Sequence, residues 1–258
     1  MIVINHTFVI CAYKESDHLE ACIESLKNQT IKSKIVITTS TPNEFIENMA
    51  NKHQLPLFVH NGSGIGADWN FGWSVVDTPY MTIAHQDDIY LPSFAEASVN
   101  ALMSHSKSLI SFTDYDEIKN DKIIKKTTNL KIKQWMSKPV QLFPKRKWAR
   151  NISLAFGNYI ACPAVSYNMI NLKGFQFSTN YRANLDWDAW YRISQKEGSF
   201  HYIKESLMLH RIHEESETSN AIENNIRTKE DYEMYQKYWP NFFANFLMKF
   251  YVKSQNTN

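Results

Sequence analysis

Cysteine is scarce in this 258-residue chain: Cys11, Cys22 and Cys162 are the only three. An odd number without metal-type spacing excludes a disulfide framework and a cysteine-rich zinc site. Reduced, mostly buried thiols in a cytoplasmic protein are the expectation. No uninterrupted apolar run approaches the ~20 residues that a membrane-spanning helix needs. Met1-Ile2-Val3-Ile4-Asn5-His6 has neither a basic n-region nor a cleavage site, so no signal peptide is read there. Glycine is sparse too, with seven residues, and Gly62, Gly64 and Gly66 share one short turn. Their spacing is not G-x-G-x-x-G, which sets aside the dinucleotide-binding fingerprint. His213-Glu214 has no histidine at position 217, so a zinc-protease helix is excluded as well. Internal repeats and low-complexity tracts are absent.

What is present is an ordinary globular composition, 43% hydrophobic and 21% charged. It is enough for one large α/β domain or two small ones. Net charge is only +2 but is unevenly placed. Residues 118–150 hold eleven Lys or Arg against one acid, Asp121, which leaves the remainder of the chain at −8. That asymmetry fits a polyanionic or membrane-surface partner, or equally a solvated charged loop.

Strand and helix signals alternate through the first half. Thr7–Cys11, Lys34–Thr38, Leu57–Val59 and Tyr80–Ala84 are short apolar runs, as in buried parallel strands. Leu19, Cys22, Ile23 and Leu26 make an amphipathic helix behind Asp17-His18-Leu19-Glu20, which has capping-box spacing. Pro42-Asn43 begins a second helix, and Trp69, Gly72, Trp73 and Val76 line a third. Alternation of this kind predicts βαβ units, with ligands beyond the carboxyl ends of the strands. Leu109–Thr113 reads as one more strand, 118–150 as a loop or weak hairpin and 158–165 as extended, and a helix runs through Trp187, Trp190, Tyr191 and Ile193. The last 30 residues read as helical and aromatic.

Three separated pieces carry chemistry. Asp87-Asp88 follows the fourth strand directly, and adjacent carboxylates there need something positive, such as a divalent metal with its phosphates. The plainer reading is a turn or helix cap. Asn184–Trp190 contains Asp186 and Asp188, which cannot share a helix face. His210–Thr218 contains Arg211 and His213.

Together with Val9–Glu15, the helix ending Leu26–Thr30, and Gly64–Gly72, these pieces resemble a family 2 glycosyltransferase of the GT-A fold. The resemblance spans about residues 7–220. It implies an α/β, Rossmann-like, mostly parallel sheet flanked by helices over 1–220, with a C-terminal helical extension over 221–258. Residues 1–115 are the nucleotide-sugar half, 118–150 a basic loop and 151–220 the acceptor side. It implies inverting transfer from a nucleotide-sugar, with UDP-sugar first among donors, to a glycan or lipid-linked acceptor in bacterial surface polysaccharide synthesis. Asp87, Asp88 and His213 would hold Mn²⁺ or Mg²⁺. Ala12, Tyr13, Glu15, Asp68, Asn70, Asp87 and Arg211 would contact the donor, and Asp186 would be the base. Asn158 and Tyr159 are candidate acceptor contacts.

The departures matter. His85 stands where the family often has the first aspartate of its DxD motif. Leu185 replaces a glutamate, which leaves Asp188 as a competitor to Asp186. Thr38 and Thr39 stand where a carboxylate often meets the base of the nucleotide. Asp68 and Asn70 reach the donor or cap their helix, and Tyr13 is a platform or core. The aromatic run Phe242, Phe243, Phe246, Leu247, Phe250 and Tyr251 packs on the core or inserts shallowly at a membrane surface. Few aromatics interleave the basic segment, so no nucleic-acid partner is expected. A nucleotidyltransferase and a non-catalytic anion binder remain as rival classes.

Overall fold

The computed structural model describes residues 5–120, 122–125, 127–212 and 226–255, with 250–255 as backbone. Its strands are β1 (His6–Ala12), β2 (Lys34–Thr39), β3 (Leu57–Val59), β4 (Tyr80–His85), β5 (Ile89–Tyr90), β6 (Ser108–Lys119), β7 (Lys122–Ile124), β8 (Val165–Asn168) and β9 (Ser199–Arg211). They form one sheet in the order β3-β2-β1-β4-β8-β6-β9-β5, with β7 hairpinned onto β6. The β3-β2-β1-β4 half is parallel throughout, and so is β6 with β9; β5, β7 and β8 run the other way. This is the mostly parallel α/β architecture that the sequence predicts.

β1 is apolar along its whole length because both faces are covered. Phe8 and Ile10 enter one core layer with Leu19, Ile23 and Leu26 of α1 (Leu19–Lys27) and Ile46 of α2 (Glu44–His53). Val9 enters the opposite layer with Trp69 of α3 (Ile65–Ser74) and Trp190 of α8 (Leu185–Ser194). The alternation is the period of two expected of a strand between two layers. α2 starts where Asn43 Oδ1 accepts from the Ile46 amide at 2.9 Å. The Asp17 capping box does not form: His18 is the N-cap of α1 and makes no side-chain cap bond, while Ser16 Oγ accepts the His18 amide.

The basic segment reads from sequence as a loop or weak hairpin; its start is the β6–β7 hairpin, and the remainder is mainly helical. After the β6–β7 hairpin it builds α5 (Thr128–Met136), α6 (Lys138–Leu142) and α7 (Lys147–Leu154). Thr127 caps α5 through the Leu130 amide, and Leu130, Val140, Ala149 and Leu154 are buried. These helices are too short for a 3.6-residue period to stand out, so lysine density masked them. Preceding them is α4 (Phe94–Met103); the chain ends, as expected, in α9 (Ile226–Gln236) and α10 (Asn241–Gln255).

The strand order reverses between β1 and β4, and the crevice beyond their carboxyl ends is where an open parallel sheet binds ligands. Residues on this end are pinned to one another. Gln86 accepts from the Tyr13 amide at 3.0 Å and donates to the Tyr13 carbonyl at 2.9 Å. The Lys14 amide donates to Thr41 Oγ1 at 2.7 Å, with Lys14 at φ 54°.

Far from this end, Arg150 is 1% exposed and donates to the carbonyls of Ser194, Lys196 and Gly198. It closes the carboxyl end of α8, whose last carbonyls lack helical partners. Arg150→Met leaves these acceptors buried and unmet. Urea denaturation is expected to show a loss of about 3 kcal/mol; an unchanged midpoint would remove this role.

Candidate active site

The acidic pair lies in the turn between β4 and β5. Asp88 is fully buried. Its Oδ1 accepts from His210 Nδ1 at 3.0 Å and from the Arg211 amide at 2.9 Å. The Arg211 guanidinium donates from Nε to the Asp87 carbonyl at 3.0 Å. β5 makes this possible: Ile89 pairs with Leu209 and Tyr90 with Met208, which brings the end of β9 against the turn. Burial alone would lower the His210 pKa, but the Asp88 and Asp87 charges outweigh it and the net shift is upward. Cys22 of α1 donates its thiol to the His85 carbonyl at 3.3 Å, and burial and the two aspartates push its pKa well up, so it is an inert packing thiol.

The second oxygen of Asp88, Oδ2, is buried and has no hydrogen-bond partner among the described residues, and the same holds for Nε2 of His85. His85 Nδ1 lies 4.0 Å from that oxygen. One ligand atom from each of His85, Asp87 and Asp88 fits within 4.8 Å. Two carboxylates and an imidazole suit Mn²⁺, and Mg²⁺ less well because of the nitrogen donor. Buried polar atoms of this kind call for a partner, and the donor set here fits a divalent cation. His85, read from sequence as a departure, is thus the third member of the cluster. His213, the expected ligand, lies outside the described residues.

Other expected donor residues line the same end of the sheet. Ala12 ends β1 in the core, while Tyr13 is 51% exposed and carries Lys14 Nζ 5.2 Å from its ring centroid. Glu15 is exposed. Asp68 Oδ1 lies 3.0 Å from His60 Nε2, and burial raises its pKa against the opposing effects of Ser40 and His60. Asn70 commits its amide to the Phe177 backbone, giving at 3.0 Å and accepting at 2.7 Å. Thr38 and Thr39 are 1% exposed.

Asp186 opens α8 on the opposite wall. Its Oδ2 accepts from Asn158 Nδ2 at 2.6 Å and its Oδ1 from the Trp187 amide at 2.7 Å. Burial raises its pKa although both bonds, and the charges of Arg227 and Lys133, oppose this. Asp188 is placed quite differently. It bridges Arg192 Nε at 2.7 Å and Lys237 Nζ at 2.6 Å. Tyr159 is buried against Phe112, whereas its neighbour Asn158 reaches the carboxylate. The buried Cys162 thiol feels both Asp186 and Asp88, and Lys133 acts on both Asp186 and His210.

α8 is held rigidly. The Trp187 and Trp190 indoles are buried and donate to the carbonyls of Leu154 and Ile160 at 3.1 and 3.2 Å. Glu230 of α9 accepts the amides of Arg182, Ala183 and Asn184 at 2.8, 2.8 and 2.9 Å, which fixes the chain leading into α8. Asp231 accepts from Asn184 Nδ2 at 2.7 Å, with Arg227 at 3.9 Å. No motif in the sequence marks these two acids.

Burial lifts the Asp231 pKa to about 6, partly offset by Arg227 and Asn184. A raised carboxyl pKa means that the folded protein binds the proton more tightly, so stability falls as pH rises from about 4 through about 6. Asp231→Asn is therefore expected to melt roughly 2–4 °C higher at pH 7.5, with the gain vanishing toward pH 4. A gain that does not depend on pH would contradict this.

The comparisons agree with this geometry. The model of "Glycosyl transferase family 2" matches residues 7–164. An uncharacterized glycosyltransferase of Rickettsia typhi is 23% identical over 245 residues, covering 92% of this chain and 70% of the relative. One from Rickettsia prowazekii is 24% identical over 235 residues, covering 87% and 69%. Among solved structures, Staphylococcus aureus TarS 1–349 in complex with UDP-GlcNAc aligns with TM-score 0.66 at 12% identity, over 95% of this chain and 70% of its own. The mannosyltransferase PcManGT of Pyrobaculum calidifontis, in complex with GDP-Man and Mn²⁺, aligns with TM-score 0.64 at 10% identity, over 90% and 63%. The chain spans 42% of a longer TarS chain. Turn, sheet order and family match converge: this chain belongs to glycosyl transferase family 2 and is a glycosyltransferase of the GT-A fold.

Proposed function

We propose that the chain transfers a sugar from a nucleoside-diphosphate sugar to a glycan or lipid-linked hydroxyl with inversion, as one step in building a bacterial surface polysaccharide at the cytoplasmic face. UDP-sugar is the first donor to test, because the UDP-GlcNAc complex of TarS belongs to a neighbour that covers nearly the whole chain. The observation that carries the reading is the division between Asp186 and Asp188. One carboxylate at the start of α8 faces Asn158 with a raised pKa, while the other is consumed by two cations.

In the reaction, the acceptor oxygen attacks the anomeric carbon as the bond from that carbon to the phosphate oxygen breaks. The departing diphosphate takes the electron pair, and Asp186 takes the hydroxyl proton. A raised pKa makes Asp186 a stronger base than an ordinary carboxylate. Asn158 holds the carboxylate in place. Arg211, tied to the Asp87 carbonyl, meets the charge growing on the leaving phosphate. His85, Asp87 and Asp88, with His213 as a further candidate, would hold Mn²⁺ or Mg²⁺, which supplies Lewis-acid neutralisation of the diphosphate. Tyr13, Glu15 and Asp68 contact the nucleotide. Asn70 supports that wall through Phe177.

Asp186→Asn is expected to cut the transfer rate by about 10²–10⁴-fold while the donor Kd, measured by calorimetry, stays within a factor of two or so. Asp188→Asn should instead lower Tm and keep most of the transfer rate. Transfer retained in Asp186→Asn would move the base elsewhere. Because deprotonated Asp186 is the active form and its pKa is raised, the acid limb of the kcat/KM profile should lie above the ordinary carboxylate range. A limb at or below that range would separate this group from the rate.

A further inference from the structure

We propose that α7, the α6–α7 turn and α10 form one face that docks on an anionic membrane surface. Trp148 and Ile152 are exposed one turn apart on α7, and Phe156 follows one turn later, also exposed. The row continues in both directions. Phe143 packs on Trp148 at 5.3 Å. Phe156 packs on Trp239 at 5.3 Å, Trp239 on Phe243 at 4.7 Å, and Phe243 on Phe246 at 5.8 Å. Ala244 and Met248 take the buried side of α10, so Phe242, 75% exposed, and Phe246 are left outward. Trp239 and Phe243 are partly buried links, while Phe143, Trp148, Phe156, Phe242 and Phe246 are exposed, and this many exposed aromatics along one row mark an interaction site.

Charge decides the partner. Between Lys122 and Leu185 there is not one Asp or Glu, against twelve Lys or Arg. Lys145, Arg146 and Lys147 are exposed beside Phe143 and Trp148, and Lys249 is exposed on α10 beyond Phe246. Aromatic rings seated among cations fit the headgroup layer of an anionic bilayer, where rings insert and lysines meet phosphates. No described helix is long and apolar enough to cross a membrane, so contact would be from one side. Asn158 stands two residues beyond Phe156 and holds Asp186. Docking would therefore bring the base to the bilayer, where a lipid-linked acceptor presents its sugar; that last step rests on the function proposed above, and the docking does not.

The test is flotation of the full chain with phosphatidylcholine vesicles containing about one third phosphatidylglycerol. Binding is expected there, not to pure phosphatidylcholine, and is expected to weaken as salt rises. Each exposed cation contributes about fivefold in affinity, so joint replacement of Lys145, Arg146 and Lys147 by Gln should weaken binding more than tenfold. Phe143→Ser with Trp148→Ser should abolish insertion with Tm nearly unchanged. Asp186→Asn should bind vesicles like the native chain; flotation by a native chain that transfers no sugar from any donor would count against the proposed function and leave the docking standing. Absent flotation, equal binding to neutral vesicles, or full binding by the triple variant would overturn the proposal. So would retention on single-stranded nucleic acid without flotation, or a solution dimer that Trp148→Ser dissolves.

Discussion

A carboxylate without access to water must be paired, and Asp88 is such a carboxylate at the exit of a central strand. Much of the site follows from meeting that demand. One oxygen is satisfied by His210 and the Arg211 amide, which requires the end of β9 to lie against the β4–β5 turn. β5, only two residues long, supplies that contact by pairing with β9. The other oxygen is buried beside His85 and unmet among the described residues. The protein thus holds half of a carboxylate in place and presents the other half. Arg211 is carried to the same spot by the same strand, so the acidic cluster and the guanidinium beside it come from one packing event.

The opposite wall is built by a different device. Asp186 sits at the start of a helix anchored by two buried indoles and approached through three backbone amides that Glu230 grips. The helices after residue 225 are part of this support, since Glu230, Asp231 and Lys237 all act on α8 or its approach. Lys237 engages Asp188, and so decides which of two neighbouring aspartates stays available. Buried charge is costly on both walls, and each cost is offset by hydrogen bonds from elements distant in sequence.

The parallel half of the sheet was legible because strands buried on both faces read as continuous apolar runs, as in Phe8–Ile10 and Met81–Ala84. The acidic turn and the helix at 185 were legible for the same kind of reason, as charge set against apolar neighbours. β5 and β9 were not. β5 is too short to carry a period, and β9 is broken against β6 by register shifts near Asp114, which scramble the alternation of faces. His85 was visible only as a departure from an expected aspartate, and its part in the cluster needed the turn geometry. Glu230 and Asp231 gave no local signal because their partners are backbone amides and a side chain more than 45 residues away. Helices α5 to α7 were hidden by the lysines on their outer faces, the same residues that give that surface its charge.

The central claim is that the unmet oxygen of Asp88 and the imidazole of His85 face a cation bound with a diphosphate. Electron paramagnetic resonance of Mn²⁺ titrated into the full chain with UDP, GDP or no nucleotide tests it most directly. The account predicts that the signal of free Mn²⁺ is quenched in the presence of a nucleoside diphosphate. It also predicts that Asp88→Asn abolishes the quenching while its thermal unfolding stays cooperative. Mn²⁺ left free with every nucleotide, or retained unchanged by a folded Asp88→Asn, would contradict it.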